Sequence, residues 1–322
     1  MTAPLHWQVA AANPVIVPGR LHPGLDDQHA GAGHVLDLGD RYRLYYWGRG
    51  RLGNVILMAE APVSAPNAWR PVGEALLAPQ PDTDYNAGGP SFPFVLPVDE
   101  RHWLLYFCGW GRATPERRLA NCTGLALSDD AGLTWRYQGT TPLLAFERPY
   151  ERAATGSVSV VRMGAEFRLY YTAIGHYYPR PPGVRTGHGD TIPRIGIAYA
   201  TSPDGITWTK PFDEWLVAPR GFTADPYEYI NSKPFVCRDG AGWRMWISTF
   251  GHAYRVRSLV SADGLTWARV PSGPDGDLGV GAPGAFDSEQ RCYAAAVPHA
   301  GGWRLWFTGN GFGHTGMGFA EA

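Results

Sequence analysis

SDDAGLTW at residues 128–135, SPDGITW at 202–208 and SADGLTW at 261–267 are three versions of one phrase, and their recurrence decides the fold. A second phrase, an aromatic residue leading an alternating aromatic run, occurs five times. It reads YRLYYWG from Tyr42, WLLYFCG from Trp103, FRLYYTA from Phe167, WRMWIST from Trp243 and WRLWFTG from Trp303. Units recurring every ~60 residues or somewhat more are the signature of a propeller or solenoid.

One unit shows how the strands run. SVSVVRM (157–163) alternates as a first strand, and GAE turns into FRLYYTA as the second. After a long loop, RIGIAYATS (194–202) is the third, and ITWTK (206–210) follows an Asp-Gly turn as the fourth. Asp-Gly between two alternating runs is a strong hairpin signal. Four antiparallel strands in each of five units predict an all-β, five-bladed β-propeller, which leaves only short, protected edges. The last unit stops at GMGFAEA (316–322), one strand short, while Leu5-His6-Trp7-Gln8 resembles the fourth strands LTWRY, ITWTK and LTWAR. Residues 4–10 are therefore expected to complete the last blade and close the ring. The expected organisation is a single domain over 1–322, with blades at 25–75, 85–140, 150–212, 228–272, and 288–322 plus 4–10.

Composition agrees with strands and turns: 13 Trp, 16 Tyr and 13 Phe beside 41 Gly and 28 Pro. A net charge of -1 argues against a nucleic-acid or anionic-membrane partner, each of which favours a basic face. No run of about 18 apolar residues is present, and the N-terminus lacks the basic and apolar regions of a signal peptide, so a cytoplasmic location is expected. The four cysteines, Cys108, Cys122, Cys237 and Cys292, lack metal-site spacing. Free thiols are the expectation, with a Cys108–Cys122 bridge across one hairpin as the alternative.

The Asp-Gly phrases are read structurally. SDDAGLTW matches the S-x-D-x-G-x-T-W Asp box of sialidases and other propellers, and the other two copies are one residue shorter. The Asp side chain caps its own turn and the Trp packs between blades. Asp130, Asp204 and Asp263 are therefore poor catalytic candidates.

Chemistry is expected on the opposite face, where the loops entering each first strand and the loops joining second to third strands meet. Acids recur ahead of each aromatic phrase: Asp26 and Asp27, Asp84, Glu147 and Glu151, Asp225 and Glu228, Asp287 and Glu289. His29, His34, His176, His188, His252 and His314 fall on the same predicted rim. Residues 175–194 are too long for a plain connection and are expected to form a flap over the mouth. Aromatic side chains beside amides and acids suit a carbohydrate, whose ring faces stack while its hydroxyls take hydrogen bonds. The expected substrate-binding set is His29, Trp110, Arg152, His176, Tyr177, Asn231, Lys233, His252, Asp287, Glu289, Asn310 and His314. No cofactor is expected. A histidine-held metal ion is the alternative, although no H-x-H or H-x-x-x-H pair occurs. Phosphate cradles, dinucleotide fingerprints and G-x-S-x-G are absent.

Through the W-R-[LM]-[YW] and S-x-D-G-x-T-W repeats the whole chain resembles the five-bladed glycoside hydrolases of families 43 and 32, and more distantly family 130. It looks especially like bacterial family 32-like proteins whose last blade carries a phrase similar to LWFTGNGFGHTGMGFA. The resemblance implies three acids on the first three blades: a base or nucleophile, an acid that orients it or tunes its pKa, and a proton donor. Carried over by blade, these are Asp27, Asp84 and Glu151. The sequence departs from the pattern at AGAGHV (30–35), where family 43 has Asp-Pro, and the family 32 signatures are missing. Asp225-Pro226 instead falls on the fourth unit, followed by Glu228, Asn231 and Lys233 in EYINSKP, which makes Glu228 a fourth candidate acid.

The resulting expectation is a glycoside hydrolase or transglycosidase acting on a small glycoside with paired carboxylates at the channel mouth. Their separation would decide between inversion and retention. Two alternatives stay open. One is a catalytically silent propeller that binds a saccharide or sugar nucleotide; the other is a propeller recruited to lyase, cyclase or isomerase chemistry. A sialidase is disfavoured, because five units are counted rather than six and no three-arginine clamp is identifiable.

Overall fold

The computed structural model describes residues 4–114, 120–184, 189–223 and 228–322. The chain is all-β, with helix among the described residues limited to the short turns Pro149–Glu151 and Asn310–Gly313. Strands follow one another as antiparallel neighbours. The first sheet runs His29–Asp37, Arg41–Gly50, Gly53–Pro62 and Arg70–Pro71; the second runs Pro90–Pro97, Trp103–Trp110, Asn121–Ser128 and Arg136–Tyr137. Ala154–Met163, Glu166–Pro179 and Thr191–Ser202 form a third antiparallel set. Ile230–Asp239, Gly242–Phe250, Tyr254–Ser261 and Ala268–Arg269 form a fourth. One parallel pair, Ile195↔Ile230, joins these two sets into a seven-stranded sheet.

The last sheet contains Cys292–His299, Gly302–Thr308 and Met317–Glu321, and its outer strand is Gln8–Val9. Gln8 pairs with Glu321 and Val9 with Ala320, so the chain's two ends lie in one sheet as expected. Asn13 reinforces the join, because its side-chain amide donates to the Phe319 carbonyl at 3.0 Å and accepts from the Phe319 N–H at 2.8 Å.

Two expectations need correction. ITWTK was expected as a full fourth strand, but only the isolated bridge Thr201↔Thr209 forms, and Pro211 follows without an N–H to extend a ladder. Residues 175–194 were expected to be a flap. Apart from residues 185–188, which lie outside the described residues, much of this segment is a hairpin extension in which His176 pairs with Arg194 and Pro179 with Thr191. The β-favouring residues Tyr177, Tyr178, Thr191 and Ile192 continue the ladder.

The Asp-Gly phrases hold neighbouring sheets together. Asp204 accepts from the backbone of Ile206 and Thr207 at 2.8 and 2.7 Å, and Asp130 and Asp263 make the same pattern. Each turn then offers its glycine carbonyl to a tyrosine of the preceding unit. Tyr45 donates to Gly132 at 2.9 Å, Tyr106 to Gly205 at 2.6 Å and Tyr170 to Gly264 at 2.8 Å. One buried apolar cluster draws on all the sheets, including Tyr46, Phe94, Val158, Phe235 and Trp306.

Candidate functional site

The first strand of every unit is broken at the same place. Register shifts lie between Gly31 and His34, Ser91 and Phe94, Thr155 and Val158, Ser232 and Phe235, and Cys292 and Ala295. A bulge inserts an extra residue and re-aims its side chain. Phe92, Lys233 and Tyr293 occupy three of these bulges with φ of 49°, 48° and 57°, a left-handed backbone seldom adopted by side chains of this size. Hydroxyls from neighbouring strands hold two of them there: Thr172 accepts from the Lys233 N–H at 2.9 Å and Ser248 from the Tyr293 N–H at 2.7 Å.

The last four of these bulges border a cavity of about 560 Å³. Its walls are aromatic: Trp47, Phe92, Trp110, Tyr254, Tyr293 and Phe312. The rings brace one another, with Phe92 edge-on to Tyr293 at 4.9 Å, Trp47 stacked on Phe92 at 6.1 Å and Phe312 stacked on Tyr293 at 6.3 Å. Asn54, Asn121, Ser157, Thr172 and Ser232 add amides and hydroxyls between them. Three expected substrate-binding residues lie here. His29 stacks on Trp47 at 5.4 Å, Trp110 donates to the Ser91 hydroxyl at 2.7 Å, and Lys233 lines the cavity at 2% exposure. Burial lowers the His29 pKa first, and the Arg49 charge lowers it further. Burial brings Lys233 down to about 7, opposed by Cys237 and Cys292. Its neighbour His34 falls to about 3 through burial and the Lys233 charge, and is neutral.

None of the four expected catalytic acids lines this cavity. Asp27 is exposed and caps the Gly24 N–H at 2.9 Å. Asp84 has a side chain 98% exposed, 3.8 Å from Arg112. Glu151 is buried at 0% exposure and fully engaged: it accepts from Lys210 at 2.6 Å, Tyr171 at 2.6 Å and the N–H groups of Glu147 and Arg148. Glu228 binds Arg269 through both oxygens at 2.5 and 3.1 Å. Two of the recurring acids fasten their loops to a strand tyrosine. Asp26 stands twenty residues before Tyr46, as Glu151 does before Tyr171, and each accepts that tyrosine's hydroxyl at 2.7 or 2.6 Å. Burial raises the Asp26 pKa, opposed by its bonds from Tyr46 and Gly19.

The other expected binding residues scatter. Arg152, His176 and His252 are exposed and do not line the cavity. Tyr177 packs against an apolar cluster, and the Asn231 amide donates to the Ala218 carbonyl at 3.0 Å. Asp287 is paired with Arg291 at 2.7 Å. Asn310 accepts from the N–H groups of Glu289 and Gln290, which fastens Glu289 by its backbone. His314 flanks the site, edge-on to His29 at 5.6 Å. His188 and Asp225 lie outside the described residues. Among the described residues no three His, Cys, Asp or Glu side chains gather as a metal site, and none of the four cysteines is in a disulfide. No described helix is long and apolar enough to cross a membrane.

Sequence reasoning missed Trp47, Phe92, Tyr254, Tyr293 and Phe312. A signal was present: Ser91-Phe92-Pro93-Phe94 and Ser232-Lys233-Pro234-Phe235 share the phrase S-x-P-F, with the bulged residue in the variable slot.

Solved structures share this arrangement of strands. A glycosyl hydrolase from Bacteroides ovatus superposes with a TM-score of 0.71 at 12% identity, over 99% of this chain and 94% of its own. A structure from work on the GH130 family of mannoside phosphorylases, containing glycoside hydrolases that target beta-1,2 mannosidic linkages, gives 0.70 at 12%, over 99% and 94%. The chain has the fold of these glycoside hydrolases. A thermostable family-43 glycoside hydrolase also matches, with a TM-score of 0.60 at 12% identity over 95% of this chain and 91% of that one. By sequence, the chain is 29% identical over 292 residues to "Uncharacterized protein Rv1502" of Mycobacterium tuberculosis (strain ATCC 25618 / H37Rv), covering 88% of each. No family model matches.

Proposed function

We propose that this protein is a carbohydrate-active, five-bladed propeller of one domain, in which a short saccharide is held in the cavity bordered by four of the five bulges. The observation that carries the reading is the cavity wall, where aromatic faces alternate with amides and hydroxyls. Flat rings cover the apolar faces of a pyranose while neighbouring polar groups bond its hydroxyls, the usual make-up of a small-molecule site. A volume of about 560 Å³ is in the range of such sites.

Recognition without hydrolysis is favoured by the lack of any carboxylate among the described lining residues, because glycosidic cleavage needs two flanking acids. Hydrolysis is the second reading, supported by the fold shared with glycoside hydrolases. Titration calorimetry over a panel of oligosaccharides, beside turnover assays on aryl glycosides, separates the two. Trp110→Ala should weaken saccharide binding about tenfold or more, one stacking platform being lost, at the scale of ~1.4 kcal/mol per factor of ten. Unchanged affinity in both Trp110→Ala and Trp47→Ala would remove the saccharide from this cavity.

A further inference from the structure

Building on the saccharide reading, we infer that the ligand carries a negative charge: the cavity sets Lys233 and Arg49 against no described carboxylate, which fits an acidic sugar, either a carboxylated or a phosphorylated one.

The argument starts from how this chain treats its other buried cations. Arg43 meets Glu60 at 2.7 Å, Lys210 meets Glu151 at 2.6 Å and Arg244 meets Asp239 at 2.8 Å. Arg291 meets Asp287 and Arg304 meets Glu321, both at 2.7 Å. Each charge withdrawn from water has a counter-charge, as the desolvation penalty requires. Lys233 breaks the pattern. It is more deeply buried than all of them but Arg244, yet no described carboxylate lies within 4.0 Å, and its Nζ donates to the carbonyls of Gly33 at 3.3 Å and Ala294 at 3.0 Å. The ammonium also lies 5.0 Å from the centre of the Phe235 ring. Two carbonyls and one ring face give that ammonium no counter-charge. Arg49 is a second such cation. It is exposed, lines the same cavity, and has no acid within 4.0 Å among the described residues.

Two cations and an apolar aromatic wall concentrate a positive potential in the space a ligand would fill. A neutral sugar leaves that potential unused. A sugar acid or sugar phosphate completes it: the anionic group faces Arg49 and the floor above Lys233, while the ring lies against the aromatic walls. Binding of the anion then pulls a proton onto Lys233, whose affinity for it is depressed by burial in the free protein. The titratable groups around Lys233 and the cavity are His34 and His29, both shifted toward the neutral form, the thiols of Cys108, Cys237 and Cys292 and the phenols of Tyr254 and Tyr293, all pushed up by burial, and Arg49. None of these but Lys233 changes charge between about pH 7 and about pH 8.5, so loss of affinity across that window reports on Lys233.

The test uses pairs of ligands alike in shape and different in charge: digalacturonate against its dimethyl ester, and glucose 6-phosphate against glucose, each titrated calorimetrically into the full chain. The acidic member of at least one pair should bind about tenfold or more tighter, with the preference shrinking as salt or pH rises. A preference in the first pair identifies a carboxylated sugar, and one in the second a phosphorylated sugar. In Lys233→Met and in Arg49→Gln the ratio within that pair should fall to about threefold or less. Arg49→Gln changes an exposed side chain, so it keeps the test decisive if Lys233→Met does not fold. Equal affinity within both pairs overturns the charge inference and leaves the saccharide reading standing. Absence of binding by every member of both pairs overturns the saccharide reading itself, and the charge inference with it.

Discussion

Replacing Glu151 with alanine separates a structural acid from a catalytic one more cleanly than any other change in this protein. The carboxylate is fully enclosed and takes four donors: the Lys210 ammonium, the Tyr171 hydroxyl and the N–H groups of residues 147 and 148. Removing it strands Lys210, whose side chain is only 3% exposed. The remaining charged neighbour, Glu147, stands 3.6 Å away and is largely exposed. Breaking a buried pair by deleting one partner costs about 3–5 kcal/mol, mostly through the orphaned charge. At a urea slope of about 3 kcal/mol per molar, the unfolding midpoint of Glu151→Ala should fall by roughly 1 to 1.7 M. The double variant Glu151→Leu/Lys210→Met removes both charges and should recover most of that loss, because an apolar pair of similar volume is often neutral or stabilising. Urea unfolding followed by tryptophan fluorescence measures both. If Glu151→Ala unfolds within about 0.5 kcal/mol of the parent and instead loses saccharide binding or turnover, the structural assignment of the recurring acids is wrong.

Three further outcomes follow from the packing between sheets. Gly132 sits at φ +78°, and a Cβ there would lie 2.3 Å from the Tyr45 hydroxyl and 2.5 Å from the Trp103 ring, so Gly132→Ala should lower stability by more than about 2 kcal/mol in thermal unfolding. Burial is the largest single influence on the Asp204 carboxyl and raises its pKa, but the N–H groups of Thr207 and Ile206 with the hydroxyls of Ser202 and Thr207 together hold it at about 2. Its folded value is below its unfolded one, so its contribution is complete above about pH 4 and disappears as pH falls toward 2. Asp204→Asn should flatten the acid limb of the stability curve, and an unchanged limb would contradict this. Deleting residues 1–10 removes the outer strand of the last sheet and uncovers Trp246, against which Trp7 packs edge-on at 6.5 Å. Calorimetry should show a lower melting temperature for the whole cooperative transition, and a melt like that of the full chain would sink the account of how the ends are joined.

The architecture was legible where the chain repeats itself. Alternating aromatic phrases and Asp-Gly turns located the strands, and Trp7 marked the N-terminal strand that completes the last sheet. Spacing alone could not distinguish Asp26 from Asp27, because adjacent residues differ in burial only once the loop is folded. Nor could it say that Glu151 and Glu228 would be claimed by Lys210 and Arg269, which arrive from 59 and 41 residues away. The cavity itself is built at bulges, where alternation breaks, so a reading that follows alternation passes over them. Lys233 and Trp110 were found through their loop and segment context, while Phe92 and Tyr293 looked like ordinary strand aromatics.

The recurring bulges have a consequence for how such a protein diversifies. At two of them a hydroxyl from another strand holds the bulged N–H, Thr172 at Lys233 and Ser248 at Tyr293, so the backbone there is fixed by groups other than the protruding side chain. Phenylalanine, glycine, lysine and tyrosine already occupy equivalent slots in one molecule. On the proposed saccharide reading, ligand preference is rewritten one slot at a time, by exchanging the bulged residues while the surrounding strands keep their pairing.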